Sequence, residues 1–246
     1  MKESFQPQQN NKTDFIRRIF DLQVNSTYRT IKKMLAKTRV WNTGEGKLLE
    51  VGCGSQPYRR LFSNKNIEYS AIDWEGSEEH FKYKIPDVTY YDGENFPCSD
   101  GEYNIVFHTE VVEHVKNLNL FFKECFRVLC KNGEMVFSMP FSARYHYIPY
   151  DYWRLTPTSL NLVLQENGFK DIIIIPRSKD VCVAAYKVLS IGYRLFFSKN
   201  IFKMLISALF TPIWGFSLLI GQLSLYLKWG SEDDCLGYTI YCRKND

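Results

Sequence analysis

The spacing of apolar and polar positions changes several times along this chain, and each change marks an element. From roughly Asp14 to Lys37 apolar residues recur at helical spacing, Phe15, Ile16, Ile19, Phe20 and Leu22 among them, which predicts one covering helix behind a polar tail. Short apolar runs follow at Lys47 to Val51, Ile67 to Asp73, Tyr103 to Phe107 and Glu134 to Met139, with helical stretches at Tyr58 to Phe62 and Leu120 to Cys130. Alternation of this kind predicts a parallel sheet with helices on both faces. Thr156-Pro157 with Ser159 caps a further helix that ends at Gly168, Asp171 to Ile175 is a sixth strand, and Leu236 to Cys242 a seventh.

The connection between the last two strands breaks the pattern. Met204 to Leu227 carries no charged residue, and its length and composition meet the rule for a membrane-spanning helix. Connectivity argues against one crossing, because the seventh strand must return to the same sheet. The expectation is a helical hairpin in a membrane interface, with Val181 to Phe197 as the partner helix. Lys199, Lys203 and Lys228 would face headgroups, with Trp214, Tyr226 and Trp229 at the boundary. Pro212, Gly215 and Gly221 would let it bend. A buried helix or a dimer interface is the competing reading. The chain thus divides into a tail and covering helix (1–40), an α/β core (41–178), an apolar helical insertion (179–232) and a last core strand (233–246).

Composition narrows the partners. At 45% hydrophobic and 24% charged the chain is globular, and a net charge of +4 is too small to imply nucleic acid. The seven cysteines form no C-x-x-C pair, so neither a zinc site nor a disulfide framework is supported, and a reducing compartment is expected. Met1 to Asp14 has no apolar centre and reads as no signal peptide. The expected location is the cytoplasm, at the inner face of a membrane if the hairpin touches lipid. A homo-oligomer is compatible with the sequence.

Candidate chemistry starts at Leu48-Leu49-Glu50-Val51-Gly52-Cys53-Gly54-Ser55, where an apolar strand runs into a glycine turn. Gly52 and Gly54 can take positive φ and let backbone pass close to a ligand, with the free N–H groups of a following helix beyond. The third glycine of the dinucleotide fingerprint is missing, since position 57 is Pro57, so a cofactor without phosphate fits better. Asp73 ends the next strand at about the 20-residue offset of a ribose-binding acid. Asp92 with Gly93 follows at the next turn.

With these residues the chain resembles the class I S-adenosylmethionine-dependent methyltransferases, particularly the type 11 methyltransferase domain, from about Leu48 to Phe169. The resemblance implies a Rossmann-like seven-stranded sheet, mostly parallel with the last strand antiparallel, interrupted here by the apolar insertion. It implies S-adenosyl-L-methionine as cofactor. Gly52 and Gly54 would lie under its methionine part, Asp73 at the ribose and Asp92 with Gly93 at the adenine, with Glu50, Cys53, Trp74 and His108 completing the cofactor set. Asn104 stands where the family usually has Asp, at a position with a structural role.

Two constellations bear on catalysis. Glu110, Glu113 and His114 stand at i, i+3 and i+4, which would place them on one helical face after the fourth strand. They could hold a divalent cation, as in the methyltransferases whose Glu-x-x-Glu-His pattern this resembles. The favoured reading has no metal, with His114 as general base beside Glu113. The loop Arg144 to Thr156 resembles the His-x-x-Pro-x-Asp-Tyr-x-Arg-x-Thr motif of bacterial type 11 proteins of surface-polysaccharide biosynthesis. His146 is a second candidate base, and Tyr147, Asp151, Tyr152 and Arg154 are candidate acceptor contacts, although Asp151 and Arg154 could equally clamp the loop. The expected reaction is O-methylation of a glycan, lipid-linked sugar or prenylated acceptor, with peripheral membrane contact through 181–229. The alternatives are a non-catalytic, membrane-associated cofactor-binding module, or methylation of another small molecule or an RNA end.

Overall fold

The structure, a computed structural model, describes residues 11–63, 65–77 and 87–245. Met1 to Asn10 of the expected polar tail lie outside them. The expected single helix is two, α1 (Asn11–Phe20) and α2 (Leu22–Leu35), because the Asp21 carboxylate caps the second. It accepts from Gln23 N (2.9 Å) and Val24 N (3.2 Å), satisfying amides that a continuous helix would have turned inward.

Seven strands follow: β1 (Glu45–Val51), β2 (Asn66–Trp74), β3 (Thr89–Tyr91), β4 (Tyr103–Thr109), β5 (Leu129–Pro140), β6 (Phe169–Pro176) and β7 (Gly237–Lys244). They form one sheet in the order β3-β2-β1-β4-β5-β7-β6, with β7 inserted antiparallel to both neighbours. Asn104 ties two of them at their start, its Oδ1 accepting from Lys47 N at 2.8 Å. The switch point of the order lies between β1 and β4, where ligands of such sheets bind at the carboxyl ends.

Alternate strand residues enter opposite cores. Leu49, Val51, Val106, Met135 and Phe137 pack under α4 (Leu118–Val128) and α5 (Pro157–Glu166), while Leu48, Ile105, Phe107 and Val136 pack under α2 and α3 (Arg39–Thr43). Phe107, Phe122, Phe137 and Phe169 are fully buried, each contributing about 1.5–3 kcal/mol of apolar transfer. Thr156 caps α5 through Ser159 N, with Pro157 in the first turn as its sequence implies.

One expected helix is absent. Tyr58 to Phe62 holds only a single 3-10 turn, Arg59–Leu61. Gly52, Gly54 and Gln56 all have positive φ, so the chain leaves β1 as a coiled turn and cannot start a helix there.

The insertion folds as a hairpin of α6 (Asp180–Phe196) against α8 (Thr211–Leu227), with the short α7 (Ile201–Leu209) at its tip. A third core cluster roots it, with Leu22 of α2 packed among Cys182, Val183, Ala185, Leu225 and Leu236. Among the described residues no single helix is long and apolar enough to cross a membrane; α7 and α8 meet those limits together but bend by 59°. Trp214, expected at a lipid boundary, turns inward: its indole donates to Ser207 O at 2.9 Å and its ring fills the space beside Gly192.

Candidate functional site

A cleft of about 1770 Å³ opens at the carboxyl ends of β1, β2 and β4. Small-molecule sites usually take roughly 300–1,000 Å³, so it has room for two ligands side by side. One wall is built by the turn after β1 and the end of β2. A Cβ on Gly52 would meet Val111 Cγ2 at 2.5 Å, whereas one on Gly54 would meet nothing within 4 Å. Gly52 thus lets the Val111 side chain pack against the turn, and Gly54 leaves the cleft floor bare.

Asp73 closes this turn. Its Oδ2 accepts from Gly54 N (2.9 Å) and its Oδ1 from Trp74 N (2.8 Å), leaving lone pairs on a carboxylate that lines the cleft. Burial raises its pKa against the opposing pull of these amides. Cys53, Trp74, Asp92 and Gly93 line the same region. The exposed Asp92 carboxylate also caps its own turn, accepting from Glu94 N and Asn95 N, and these bonds hold its pKa low.

Two residues expected in the cofactor set stand behind the wall. Glu50 is buried, accepts from the Tyr69 hydroxyl and does not line the cleft; burial, with Asp73 adding to it, raises its pKa strongly. His108 is fully buried, stacked on Phe137 with centroids 4.5 Å apart and edge-on to Phe121, with neither ring nitrogen hydrogen-bonded. Burial alone pushes its pKa down to about 3. Their contacts put them on opposite faces of the sheet, Glu50 with Tyr69 beside the Leu48 core and His108 with Phe121 and Phe137 in the Leu49 core.

The opposite wall corrects the expected helical face. Glu110 sits at φ 54 and only a 3-10 turn, Val112–His114, follows, so Glu110 diverges from its neighbours. Its Oε1 takes the Ser138 hydroxyl (2.7 Å) and Nη1 of Arg177 (2.7 Å). Glu110 therefore stands apart from the cation set expected for it. The acids and imidazoles that do converge are Glu113, His114 and His146, one ligand atom of each within 4.8 Å of the others.

In that cluster both imidazoles are held by Nδ1. His114 Nδ1 lies 2.6 Å from the Tyr150 carbonyl, which can only accept, so the proton sits on Nδ1 and Nε2 carries the lone pair. His146 Nδ1 lies 2.9 Å from Arg144 O and 3.1 Å from Asp151 Oδ2, which sets the same tautomer. The rings are 5.0 Å apart, edge to face. Glu113 Oε1 lies 3.6 Å from His114 Nε2 with no other partner, and burial, with Glu110 adding to it, raises its carboxyl well above the usual range. Burial lowers the pKa of His114, only partly opposed by the Tyr150 bond.

Asp151 and Arg154 clamp the loop. Nη1 and Nη2 of Arg154 donate to the two Asp151 oxygens at 2.6 and 2.8 Å, and Asp151 also accepts from His146 N. Burial pushes that carboxyl up, but these partners outweigh it and hold it at about 2. Neither residue lines the cleft; Tyr147 and Tyr152 do, and Tyr150 packs edge-on to Trp74 at 5.2 Å.

Arg177 is the functional-site neighbour that sequence reasoning missed. Buried just past β6, it joins Glu110 to Gln23 and Thr27 of α2, which line the cleft. The signal was slight, one of two cations in the Pro176-Arg177-Ser178-Lys179 corner after an isoleucine run.

Comparison with known proteins bears on the fold. Residues 49–137 match a family model described as a methyltransferase domain. A ubiquinone biosynthesis O-methyltransferase of Pelagibacter ubique (strain HTCC1062) is 30% identical over 101 residues, covering 36% of this chain. The chain spans about two fifths (40%) of that relative's length. A SAM-dependent methyltransferase from Archaeoglobus fulgidus superposes with a TM-score of 0.55 at 16% identity, over 96% of this chain and 100% of the other. Phosphoethanolamine N-methyltransferase 2 of Haemonchus contortus, solved with S-adenosyl-L-methionine, gives 0.54 at 16% identity, over 89% of this chain and 53% of the other. By its sheet order and these likenesses this chain has the fold of the class I S-adenosylmethionine-dependent methyltransferases.

Proposed function

We propose that this chain is an S-adenosyl-L-methionine-dependent methyltransferase acting on a hydroxyl of a glycan, lipid-linked sugar or prenylated acceptor at the inner face of a membrane. The observation that carries it is the pair of imidazoles, each held through Nδ1, lining one cleft with a glycine turn closed by Asp73. The residues present suit the cofactor. The open side of Gly54 accommodates a methionine part, Asp73 keeps lone pairs for ribose hydroxyls, and Asp92 and Gly93 border an adenine position. Bound there, S-adenosyl-L-methionine supplies a methyl group already activated on a sulfonium.

The chain's own residues then have two tasks, alignment and proton removal. The clamped loop and Trp74 hold the acceptor beside the cofactor position, and such positioning supplies most of the acceleration. His114 or His146 would take the acceptor's hydroxyl proton at Nε2 as that oxygen accepts the methyl group. An imidazolium on His146 would be balanced by Asp151, whereas the Glu113 carboxyl beside His114 is pushed toward its neutral form by burial. The O-methyltransferase relative supports an oxygen acceptor.

The exposed apolar insertion supports an acceptor that lives at lipid and peripheral contact through 181–229. Titration calorimetry with S-adenosylhomocysteine, followed by mass spectrometry of lipid-linked glycans from cells with and without the gene, tests the reading. Binding, together with an acceptor that is one CH2 lighter in the deleted cells, is expected. Binding with no turnover over a broad acceptor panel would favour a non-catalytic module.

A further inference from the structure

The outer face of the insertion is apolar far beyond what a solvated helix pair needs. Phe197, Phe202, Leu209, Phe216 and Leu227 are each between 65% and 75% exposed. Contiguous apolar surface on this scale marks an interaction site. Its charges have one sign: from Phe197 to Trp229, the stretch that holds α7 and α8, the chain carries Lys199, Lys203 and Lys228 and not one acid. Such a face repels a second copy of itself and attracts an anionic surface. The 59° bend between α7 and α8 suits helices lying within an interface.

The same hairpin is bolted to the cleft wall. Gln222 of α8 donates through Nε2 to Arg18 O (3.1 Å) and Ile19 O (2.7 Å), carbonyls of the last turn of α1, and accepts from Asn25 Nδ2 (2.7 Å). Leu22 seats against Gly221, where a Cβ would lie 2.4 Å from Leu22 Cδ1. On either side of that joint, Arg17, Gln23, Val24 and Thr27 line the cleft. Ile16 and Phe20 extend the exposed apolar surface along α1.

We propose that α7, α8 and the outer side of α1 form a docking face for an anionic lipid bilayer, and that docking, transmitted through Gln222, fixes α1 and α2 over the cleft. This deepens the function proposed above and rests on it for the identity of the cleft. Lipid engagement would thereby complete the cleft wall where a lipid-borne acceptor arrives.

Vesicle flotation of the full chain tests the docking, with phosphatidylcholine alone and with phosphatidylglycerol added. At least tenfold more protein should float with the anionic vesicles, the fraction should fall as salt rises, and Phe202→Glu with Leu209→Glu should abolish it. Amide exchange over residues 16–27 should slow on vesicle binding in the wild type. A Gln222→Ala variant should still float but lose that slowing. Equal flotation of the charge-bearing variant, or a wild-type dimer that ignores vesicles, overturns the docking. Flotation with unchanged exchange overturns the coupling. S-adenosylhomocysteine calorimetry on the same samples keeps the two ideas apart, since its failure sinks methyl transfer and leaves docking untouched.

Discussion

Gly52 and Gly54 share positive φ but differ in what surrounds them, and that difference separates folding from binding. Alanine at 52 collides with Val111 as well as straining the backbone, so Gly52→Ala should lower the urea midpoint clearly. Alanine at 54 meets no protein atom, so Gly54→Ala should cost only about 1 kcal/mol of backbone strain while weakening S-adenosylhomocysteine binding by at least tenfold. Calorimetry and denaturation on the two variants check this, and equal losses in both assays would refute the distinction. His114→Ala or His146→Ala should each slow turnover, roughly 100-fold for whichever is the base. Burial lowers His114, and a base must be neutral, so kcat/KM should rise with pH along an acid limb centred below pH 6.5. His108 gives a stability test. The unfolded chain protonates it near pH 6.5 and the folded chain only near about 3, so between these values the unfolded state binds more protons and acidification destabilises. Against His108→Leu, the wild type should lose about 1.4 kcal/mol per pH unit below pH 6.5. The comparison cancels the opposite contributions of Glu50 and Glu113, whose raised carboxyls bind protons more tightly when folded. The glycine turn and Asp73 were legible because their meaning is local. That Glu50 and His108 turn away from the cleft was not, since the side of a strand a residue faces depends on what packs there.

Periodicity described most elements correctly and failed where one side chain overruled it. The run from Asp14 to Lys37 reads as a single helix, yet the Asp21 cap divides it, and that division places Gln23 and Thr27 at the cleft. Glu110, Glu113 and His114 are spaced for one helical face, but the positive φ at Glu110 aims it toward Arg177 instead. No spacing rule announces that partner, because Arg177 arrives from a strand end far along the chain. The pair has an uneven dependence: the Arg177 side chain is fully buried, whereas that of Glu110 is 37% exposed. Glu110→Gln therefore leaves a buried guanidinium short of its counter-charge. We expect a cost of about 2 kcal/mol, below the roughly 3–5 of a fully buried pair because solvent reaches the carboxylate. Urea unfolding with an unchanged m-value would report it, and a midpoint within error of the wild type would show that Gln23, Thr27 and the backbone hold Arg177 unaided.

At the scale of the whole molecule, six strands and the hairpin were legible in the pattern and the resemblance implied the seventh and an antiparallel last strand, while the placement of β7 between β5 and β6 is a long-range fact that no spacing announces. The uncharged stretch had two readings, lipid-facing surface and buried core, and α8 is buried at its root and exposed along much of the rest. Leu225 of α8 lies in the cluster with Leu22, Cys182 and Leu236, whereas Phe216, earlier on α8, is 65% exposed. A helix that only packed inside the molecule would be damaged at either position. One that roots at its end and presents its remainder outward should respond unequally. Leu225→Ala should cost about 2–5 kcal/mol, toward the lower end because this side chain keeps a little exposure. Phe216→Gln should change stability by no more than about 0.5 kcal/mol. Urea midpoints measured without lipid decide the matter: equal destabilisation would mean that Phe216 is covered in solution by protein, and the outward face would no longer be available to any other partner.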